Sequence, residues 1–302
     1  MTAIFSYATN VPDSNVLRLF GNGDRPPQGT PMFEPTALYG IIGHPLGHSL
    51  SPALHNWAFA RAGLPGVYMA WPLVPESLAE FFSAVRVLPI RGGNITLPHK
   101  VEAMALLDEI SPRAGRVGAV NVFYWKDGRL CGDNTDVAGF LAPLRKKRVA
   151  SALVLGAGGA SRAVLAGLKE MGVPDIAVCN RTPGKAEALA GDFGVHCLPW
   201  DDRASAGADL VVNATAQGMK GENAKDTPFP RQGFKGRGMA YDIIYNPLKT
   251  RFLKEAEAAG WKTQDGLAMF VEQARESFRL WNPGQDMPFR GASGLVKKRL
   301  AL

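Results

Sequence analysis

The sequence predicts an α/β protein built from two layered domains. At 302 residues the chain is longer than a single hydrophobic core usually serves. Strand-like and helix-like segments alternate through both halves, which is typical of sheets covered by helices. The alternation restarts near residue 150, so we expect the change of domain to fall within a helix predicted near 136–148.

A polar arm is predicted ahead of the first strand. Residues 1–35 are rich in Gly, Pro, Asn and Asp, as in "GNGDRPPQGTP", and indicate an extended segment without a core of its own. No basic flank precedes an apolar stretch here, which argues against a secretory signal.

The first half alternates strands and helices in chain order. The strand-like segments "ALYGIIG", "GVYMAWPL" and "GGNITL" are each followed by a helix-like one, namely "SPALHNWAFARAG", "PESLAEFFSAVRVL" and "KVEAMALLDE". Ser51 is predicted to cap the first helix, with Pro52 at its first position. "AVNVFYWKDGRLCGDN" predicts a hairpin, because Asp127-Gly128 suits a type I′ turn.

The second half repeats the pattern with more regular strands. "SALVLGAGGASRAVLAGLKEMG" predicts a strand, a glycine-rich turn and a helix, and "DIAVCNRT" followed by "PGKAEALAGDFG" predicts the next strand and helix. "ADLVVNAT" and "MAYDIIY" are two further strands. "PLKTRFLKEAEAAG" and the strongly apolar "AMFVEQARESFRLW" are helices.

The composition excludes several classes of protein. Apolar residues make up 46% and charged residues 20%, as in ordinary folded proteins, and no apolar run is long enough to span a membrane. The net charge of +7 is dispersed, and the runs "RKKR" and "KKRL" have no interleaved aromatic residues. We therefore expect a small polyanionic partner and not a nucleic acid.

Cysteine and histidine usage argues against disulfides and metal. The three cysteines are far apart in the sequence, which favours a reducing cytoplasm. The five histidines show no ligand spacing, so no metal is expected. We interpret His55 as a helix-surface or packing residue.

The glycine-rich turn predicts a dinucleotide site. "LVLGAGGASR" follows an apolar strand and opens a helix, which is the context that a dinucleotide fingerprint requires. Gly156 permits the tight turn, and Gly158 lets the backbone approach a pyrophosphate at the helix N-terminus. Ser161 replaces the third glycine of the pattern, so a merely tight turn is the alternative interpretation.

The end of the next strand indicates which dinucleotide binds. An acidic residue usually stands there when the ribose 2′-hydroxyl is free. This chain has Asn180, Arg181 and Thr182 instead, with Lys185 one helical turn further on. Two cations attract a 2′-phosphate, so we expect NADP in preference to NAD.

With both halves considered, the chain resembles the shikimate dehydrogenase family from about Tyr39 to about Trp281. The resemblance rests on the joint order and spacing of several short motifs. These are "GHPLGHSLSPALHN" (43–56), "GGNITLPHK" (92–100), "GAVN" (118–121), "GDNTD" (132–136), "GAGGASR" (156–162), "NRTPGK" (180–185), "NAT" (213–215), "YDIIYNP" (241–247) and "DGLAMFVEQA" (265–274).

The resemblance implies an α/β protein with an N-terminal substrate domain and a Rossmann-like NADP-binding domain that face each other across a cleft. Its expected divisions are an extension at 1–35, a substrate-binding catalytic domain at 36–136, an NADP-binding domain at 137–260 and returning C-terminal helices at 261–302. The reaction implied is reversible reduction of 3-dehydroshikimate to shikimate with NADPH, in aromatic amino acid biosynthesis.

The family places its catalytic lysine at the position of Lys100 and its partner carboxylate at Asp136. A carbonyl that accepts hydride must also gain a proton, which a positioned acid/base group can supply. Burial favours a neutral lysine and a neighbouring carboxylate favours a charged one, so the two groups should titrate as a pair. For Asp136 alone, capping the following helix is the alternative role.

The resemblance also assigns substrate and cofactor contacts. Ser49, Ser51 and Tyr245 would bind the substrate carboxylate, and Asn94, Thr96, Asn121 and Gln273 would bind ring hydroxyls. His44 and His48 belong to the substrate loop, and His99 occupies a position that the family fills with an aromatic residue or a histidine. The cofactor set is Gly156, Ala157, Gly158, Gly159, Ala160, Asn180, Arg181, Thr182 and Lys185, with Ile243, Gly266 and Met269 at the nicotinamide. For any single Asn or Ser in a loop, turn formation is the commoner role.

Three alternatives stay open at this point. A quinate/shikimate dehydrogenase of broader specificity would share the motifs, although Arg181 argues against NAD. A non-catalytic NADP-binding regulator could share the fold, although Lys100 and Asp136 argue against it. A nucleic-acid-binding protein is the third, and it rests only on the isoelectric point near 9.4. The sequence is compatible with a monomer or a homodimer.

Overall fold

The computed structural model describes residues 37–47 and 49–300. The predicted N-terminal arm and His48 lie outside the described residues. No described helix is long and apolar enough to cross a membrane.

The first lobe is a six-stranded mixed sheet with helices on its faces. Its strand order is β2-β1-β3-β5-β6-β4, with β1, β2 and β3 parallel and β5 antiparallel to both β3 and β6. The strands are β1 Ala37–Gly43, β2 Gly66–Pro72, β3 Ile90–Ile95, β4 Glu109–Ile110, β5 Val122–Lys126 and β6 Arg129–Asp133. The helices are α1 Ser51–Ala62, α2 Leu78–Val85 and α3 Pro112–Val117.

The second lobe is a six-stranded parallel sheet in the order β12-β11-β10-β7-β8-β9. Its elements are β7 Ser151–Leu155, α5 Gly159–Glu170, β8 Asp175–Cys179, α6 Pro183–Phe193, β9 His196–Cys197, β10 Leu210–Asn213, β11 Met239–Asp242, α7 Arg251–Ala258 and β12 Lys262–Gln264. The chain order reverses between β7 and β10, and the crevice beyond their carboxyl ends is the usual ligand position in such sheets.

Three helices join or extend the lobes: α4 Asp136–Leu141, α8 Leu267–Trp281 and α9 Phe289–Arg299. Helix α8 contributes Phe270 and Phe278 to the apolar core beside the first sheet, and Met269 to the core of the second lobe. The indole N–H of Trp281 donates to the Phe123 carbonyl at 3.0 Å. Helix α8 therefore packs against both lobes.

Of two local predictions, the hairpin turn is confirmed and the helix cap is wrong. The hairpin is confirmed, with Asp127 at φ 50° and Gly128 at φ 75° between β5 and β6. The capping role of Ser51 is wrong, because Ser51 is the first helical residue and its N–H is accepted by the Ser49 hydroxyl at 3.3 Å.

The α-helix predicted at "KVEAMALLDE" is also wrong. A short 3₁₀ helix, Glu102–Leu106, stands there. The chain must then extend, because the Asp108 N–H donates to the Leu130 carbonyl at 2.8 Å and Glu109 pairs with Cys131. Strand pairing therefore overrides the local helical propensity.

The close contact between β3 and α8 gives a prediction about stability. A Cβ added at Gly92 would lie 2.5 Å from the Trp281 ring and 2.8 Å from the Phe123 carbonyl oxygen. We expect Gly92→Ala to lower the free energy of unfolding by roughly 2 kcal/mol through overpacking, measured by urea denaturation. Gly191→Ala is the matched control, since no atom lies within 4 Å of its added Cβ. Equal stabilities of the two variants would contradict the prediction.

Candidate active site

A buried ion pair lies where the first lobe meets α4. Lys100 follows β3, and its Nζ is 2.6 Å from Oδ2 of Asp136, the first residue of α4. Both residues are buried, at 9% and 7% exposure. The Val120 N–H donates to the Lys100 carbonyl at 2.8 Å and fixes the backbone of that turn. The two residues that the sequence singled out are thus in direct contact.

The Asp136 carboxylate is held at both oxygens. Asn121 donates its side-chain N–H to Oδ1 at 2.8 Å, while Lys100 bonds Oδ2. The N-cap position of α4 is occupied by Thr135, and Asp136 makes no capping bond. The alternative role of Asp136 as a helix cap is therefore wrong, and its side chain is free to serve the lysine.

A chain of buried side chains continues from Asn121 toward α8. Asn121 accepts the Thr135 N–H at 2.7 Å, and the Thr135 hydroxyl lies 3.1 Å from that of Ser277 on α8. Ser277 in turn accepts a side-chain N–H of Asn94 at 2.9 Å, and the Tyr68 hydroxyl donates to Asn94 Oδ1 at 2.8 Å.

Sequence reasoning missed Thr135, Ser277 and Tyr68. A signal existed for Ser277, which lies one helical turn beyond the predicted Gln273 on the same face of α8. For Tyr68 there was none, because a tyrosine in an apolar strand has the pattern of a core residue.

The predicted carboxylate contacts converge at the start of α1. Tyr245 stacks on Phe270, with ring centroids 4.1 Å apart. Burial raises the pKa of the Tyr245 hydroxyl, and the N–H of Leu50, between Ser49 and Ser51, faces that hydroxyl and partly offsets the effect. The phenol therefore stays neutral and offers a hydrogen bond beside the two serines.

Gln273 and Thr96 complete the predicted substrate set. Gln273 lies on α8 where that helix crosses α4, and an added Cβ at Gly139 would sit 3.1 Å from its Cβ and 2.6 Å from the Met269 carbonyl oxygen. Gly139 thus allows the helix of Asp136 and the helix of Gln273 to touch. The Thr96 N–H donates to the Ile42 carbonyl at 2.9 Å, beside the loop that follows β1.

The predicted nicotinamide contacts come together after β11. The Gly266 N–H donates to the Ile244 carbonyl at 3.0 Å, and an added Cβ at Gly266 would lie 2.1 Å from the Ile243 carbonyl oxygen. Only glycine fits there. Met269, in the first turn of α8, is buried in the same apolar cluster that Ile243 packs against.

Asp242 anchors the loop that carries Ile243 and Tyr245. Its carboxylate accepts the Ile244 N–H at 3.0 Å, the Thr250 hydroxyl at 2.6 Å and an Asn213 side-chain N–H at 3.1 Å. Burial is the largest effect on this group and raises its pKa to about 6, although the three hydrogen bonds oppose the shift.

The glycine-rich turn has the geometry of a phosphate site. Gly156 has φ 108°, in the region that favours glycine, and an added Cβ would lie 3.0 Å from the Thr215 side chain after β10. Gly158 has no heavy atom within 4 Å of an added Cβ, so its surface is open. Ser161 stands where the third glycine was expected, and its hydroxyl accepts the Gly158 N–H at 3.3 Å.

The residues after β8 suit the adenosine end of a dinucleotide. Asn180 and Arg181 line a cavity of about 570 Å³ with Pro183, Cys197 and Trp200. Arg181, Thr182 and Lys185 are exposed, and the Asn180 amide donates to the Thr182 carbonyl at 3.0 Å. The donor set is cationic and neutral, so it fits a phosphate group. Ala157 lies within the glycine-rich turn, and Ala160 is the second residue of α5.

The phosphate turn also touches the lysine. A Cβ added at Gly159 would lie 3.3 Å from Cδ of Lys100 and 3.7 Å from its Cβ. The start of α5 in the second lobe therefore packs on the stem of a residue from the first lobe, and the ion pair lies beside the dinucleotide turn.

The described histidines next to these residues have structural partners. His99 Nε2 bonds the Leu73 carbonyl at 2.7 Å. His55 is buried against Tyr68 and Trp281, with ring centroids 4.4 and 5.0 Å away, and burial lowers its pKa to about 3. Of the two roles considered for His55, packing is the one that the structure supports.

Three family models match the chain. "Shikimate dehydrogenase substrate binding domain" matches residues 41–123, "Shikimate / quinate 5-dehydrogenase" matches 142–224 and "Shikimate 5'-dehydrogenase C-terminal domain" matches 266–291. A relative from Oleidesulfovibrio alaskensis, named shikimate dehydrogenase (NADP(+)), is 51% identical over 271 residues, which are 88% of this chain and 97% of the relative. The chain belongs to the shikimate dehydrogenase family.

Solved structures of the family agree with the fold. The shikimate 5-dehydrogenase of Thermus thermophilus, in complex with NADP(H) and shikimate, has a TM-score of 0.79 and 43% identity over 87% of this chain and 99% of that one. Quinate dehydrogenase from Corynebacterium glutamicum, in complex with NAD, also has a TM-score of 0.79, at 32% identity over 88% of this chain and 99% of that one. The α/β fold class that the sequence predicts is confirmed.

The raised pKa of Asp242 gives a prediction about pH. The folded state binds this proton more tightly than the unfolded chain, in which an aspartate titrates near 3.9. Ionised Asp242 therefore costs stability, and this cost grows as pH rises from about 4 to about 6.

The variant that tests this is Asp242→Asn, whose side chain stays neutral at every pH. Its free energy of unfolding, relative to wild type, should rise by about 2–3 kcal/mol between pH 4 and pH 7.5. Urea denaturation at several pH values measures this difference. A difference that does not change with pH would show that Asp242 is not the titrating group.

Proposed function

We propose that this protein catalyses the reversible NADP-dependent oxidation of shikimate to 3-dehydroshikimate. The observation that carries the proposal is the buried Lys100–Asp136 pair, 2.6 Å apart, with the lysine stem packed on the dinucleotide turn at Gly159. The family, and the activity named for its relatives, support the same reaction. A cytoplasmic location stays a prediction.

The Lys100–Asp136 pair would accept the proton of the reacting hydroxyl. Oxidation removes a hydride from the carbinol carbon and a proton from its oxygen. The nicotinamide, held beside Ile243, Gly266 and Met269, would supply the hydride acceptor. Lys100 has three positions for hydrogen bonds on Nζ and uses one for Asp136. A remaining position faces the substrate oxygen. As Nζ takes the hydroxyl proton it passes one of its own to Asp136 Oδ2, so the carboxylate ends protonated and the lysine keeps its charge.

We assign residues 36–136 to substrate binding and catalysis, 137–260 to NADP binding and 261–302 to helices that return to the first lobe. Ser49, Ser51 and Tyr245 would hold the substrate carboxylate through neutral donors. Asn94, Thr96 and Gln273 would contact ring hydroxyls.

Asn121 contacts the catalytic carboxylate in place of a substrate hydroxyl. Its two side-chain hydrogens are directed to the Thr135 hydroxyl at 3.0 Å and to Asp136 at 2.8 Å. With these two hydrogen bonds, the main role of Asn121 is to orient the Asp136 carboxylate. A substrate hydroxyl would bind it by displacing one of these partners.

NADP is the proposed cofactor because cations and neutral donors stand where a ribose-binding carboxylate would. Broader use of quinate and NAD is the second candidate, supported by the likeness to the C. glutamicum quinate dehydrogenase. Absorbance assays of shikimate and quinate, each with NADP and NAD, separate the two. Faster turnover of quinate with NAD would favour the second candidate.

Removing the lysine tests the acid/base role. Lys100→Ala should lower kcat for shikimate oxidation by about 10³-fold or more. A positioned acid/base group typically contributes about 10²–10⁴-fold to the rate, and the variant loses it. NADPH affinity, measured by fluorescence titration, should stay unchanged. Lys126→Ala, at an exposed hairpin position of the same lobe, is the control. Normal turnover by the Lys100 variant would refute the role.

Reversing a charge tests the cofactor assignment. Arg181→Asp should lower kcat/KM for NADPH by about 10²-fold and leave that for NADH equal or higher, since the guanidinium contacts only the 2′-phosphate. Arg231→Asp, another exposed arginine of the second lobe, is the control. Equal losses with both cofactors would point to a role in folding and not in phosphate recognition.

A further inference from the structure

The orientation of the Asn94 side-chain amide is determined by its neighbours. One of its atoms lies 3.2 Å from the main-chain carbonyl oxygen of Asn121, which can only accept a hydrogen bond. That atom must therefore be the nitrogen. The opposite atom is the oxygen, and it accepts the Tyr68 hydroxyl at 2.8 Å. Exchanging the two atoms would set two acceptors against each other.

In this orientation the Asn94 side chain can only accept a further hydrogen bond. An amide nitrogen has two hydrogens; one goes to the Asn121 carbonyl and the other to the Ser277 hydroxyl at 2.9 Å. The oxygen can accept two bonds, and among the described residues only the Tyr68 hydroxyl donates to it. The unused capacity of Asn94 is an acceptor position on Oδ1.

Ser277 is the residue that takes the second hydrogen. It is fully buried on α8, donates to the Gln273 carbonyl at 3.0 Å and lies 3.1 Å from the Thr135 hydroxyl. Its hydroxyl therefore joins Asn94 to the segment that carries Asp136 and to the turn of α8 that carries Gln273. Nothing in the acid/base chemistry requires a hydroxyl at this place.

We propose that Ser277 is a positioning residue that restricts Asn94 to accepting, so that the site requires a hydrogen-bond donor on the substrate at the ring position facing Asn94. The inference rests on the proposed function and makes it more specific. A ring hydroxyl at that position must donate its proton to Asn94 Oδ1. Groups that only accept, such as fluorine or a methyl ether, are then rejected for their electronic character and not only for their size.

Substrate analogues test the polarity directly on the wild-type enzyme. Each of the two non-reacting hydroxyls of shikimate is replaced in turn by hydrogen or by fluorine, and kcat/KM with NADP is measured. At the position facing Asn94 the fluoro analogue should be no better than the deoxy analogue, because fluorine cannot donate and its lone pairs face Oδ1. A fluoro analogue at least tenfold better than the deoxy analogue at both positions would overturn the proposal.

A variant tests whether Ser277 acts on catalysis through the substrate hydroxyl that faces Asn94. Ser277→Ala should lower kcat/KM for shikimate about tenfold, mainly through KM for shikimate, with KM for NADP unchanged. The loss should vanish for the deoxy analogue that lacks the hydroxyl facing Asn94. A purely structural role would lower kcat/KM for both substrates equally, and that result would overturn the positioning role.

Ser293→Ala is the matched control. Ser293 lies on α9, and its hydroxyl is buried without a hydrogen-bond partner among the described residues, so its removal should leave both substrates unaffected. If Ser277→Ala does not fold, the analogue series on the wild type still decides the polarity. A wild-type enzyme that does not oxidise shikimate with NADP contradicts the proposed function itself, and this inference falls with it.

Discussion

The contact between Lys100 and Asp136 is the constraint on which the rest of the site depends. Two buried charges are tolerated only when they are paired and their remaining hydrogen-bonding positions are satisfied. The structure meets this condition for the carboxylate, whose second oxygen accepts from Asn121 at 2.8 Å. The ammonium does not fully meet it, because among the described residues its Nζ bonds only Asp136. The pair therefore stays incomplete without substrate, which is the condition expected of a group that must bind a reacting oxygen.

Holding this pair requires close contacts between backbone segments, and the glycines at the lobe junction provide them. Gly139 lets α4 approach α8, Gly159 lets the dinucleotide turn lie on the Lys100 stem, and Gly118 leaves room for the Arg162 guanidinium, 3.0 Å from where its Cβ would be. Arg162 on α5 donates to the Val117 carbonyl of α3 at 3.3 Å and pairs with Asp192 at 2.5 Å. Glycines from both lobes and the long Arg162 side chain thus hold the two lobes together.

The sequence predicted the alternation of elements and brought Lys100 and Asp136 forward as a pair, because motifs encode order and spacing. It did not predict features that depend on distant partners. The segment after Lys100 has helical propensity, yet pairing of Glu109 with Cys131 extends it. The error at Ser51 is local instead: Ser51 has the pattern of a cap, yet the helix begins at Ser51 and Ser49, two residues earlier, accepts its N–H. Ser277 has one local signal, its place one helical turn beyond Gln273, but its partners Asn94 and Thr135 lie 183 and 142 residues away in sequence.

The division between satisfied and unsatisfied groups carries more information about the substrate than the identity of the residues. Asn94 and Asn121 are the same residue type, are both buried and are hydrogen-bonded to each other. Asn121 has both amide hydrogens committed to Thr135 and Asp136, so it acts on the carboxylate. Within the described part of the chain Asn94 Oδ1 accepts only from Tyr68, so its second acceptor position can act on a ligand. Since a buried polar group left unpaired is costly, the substrate that binds best is the one whose donors and acceptors complement those that the protein leaves open.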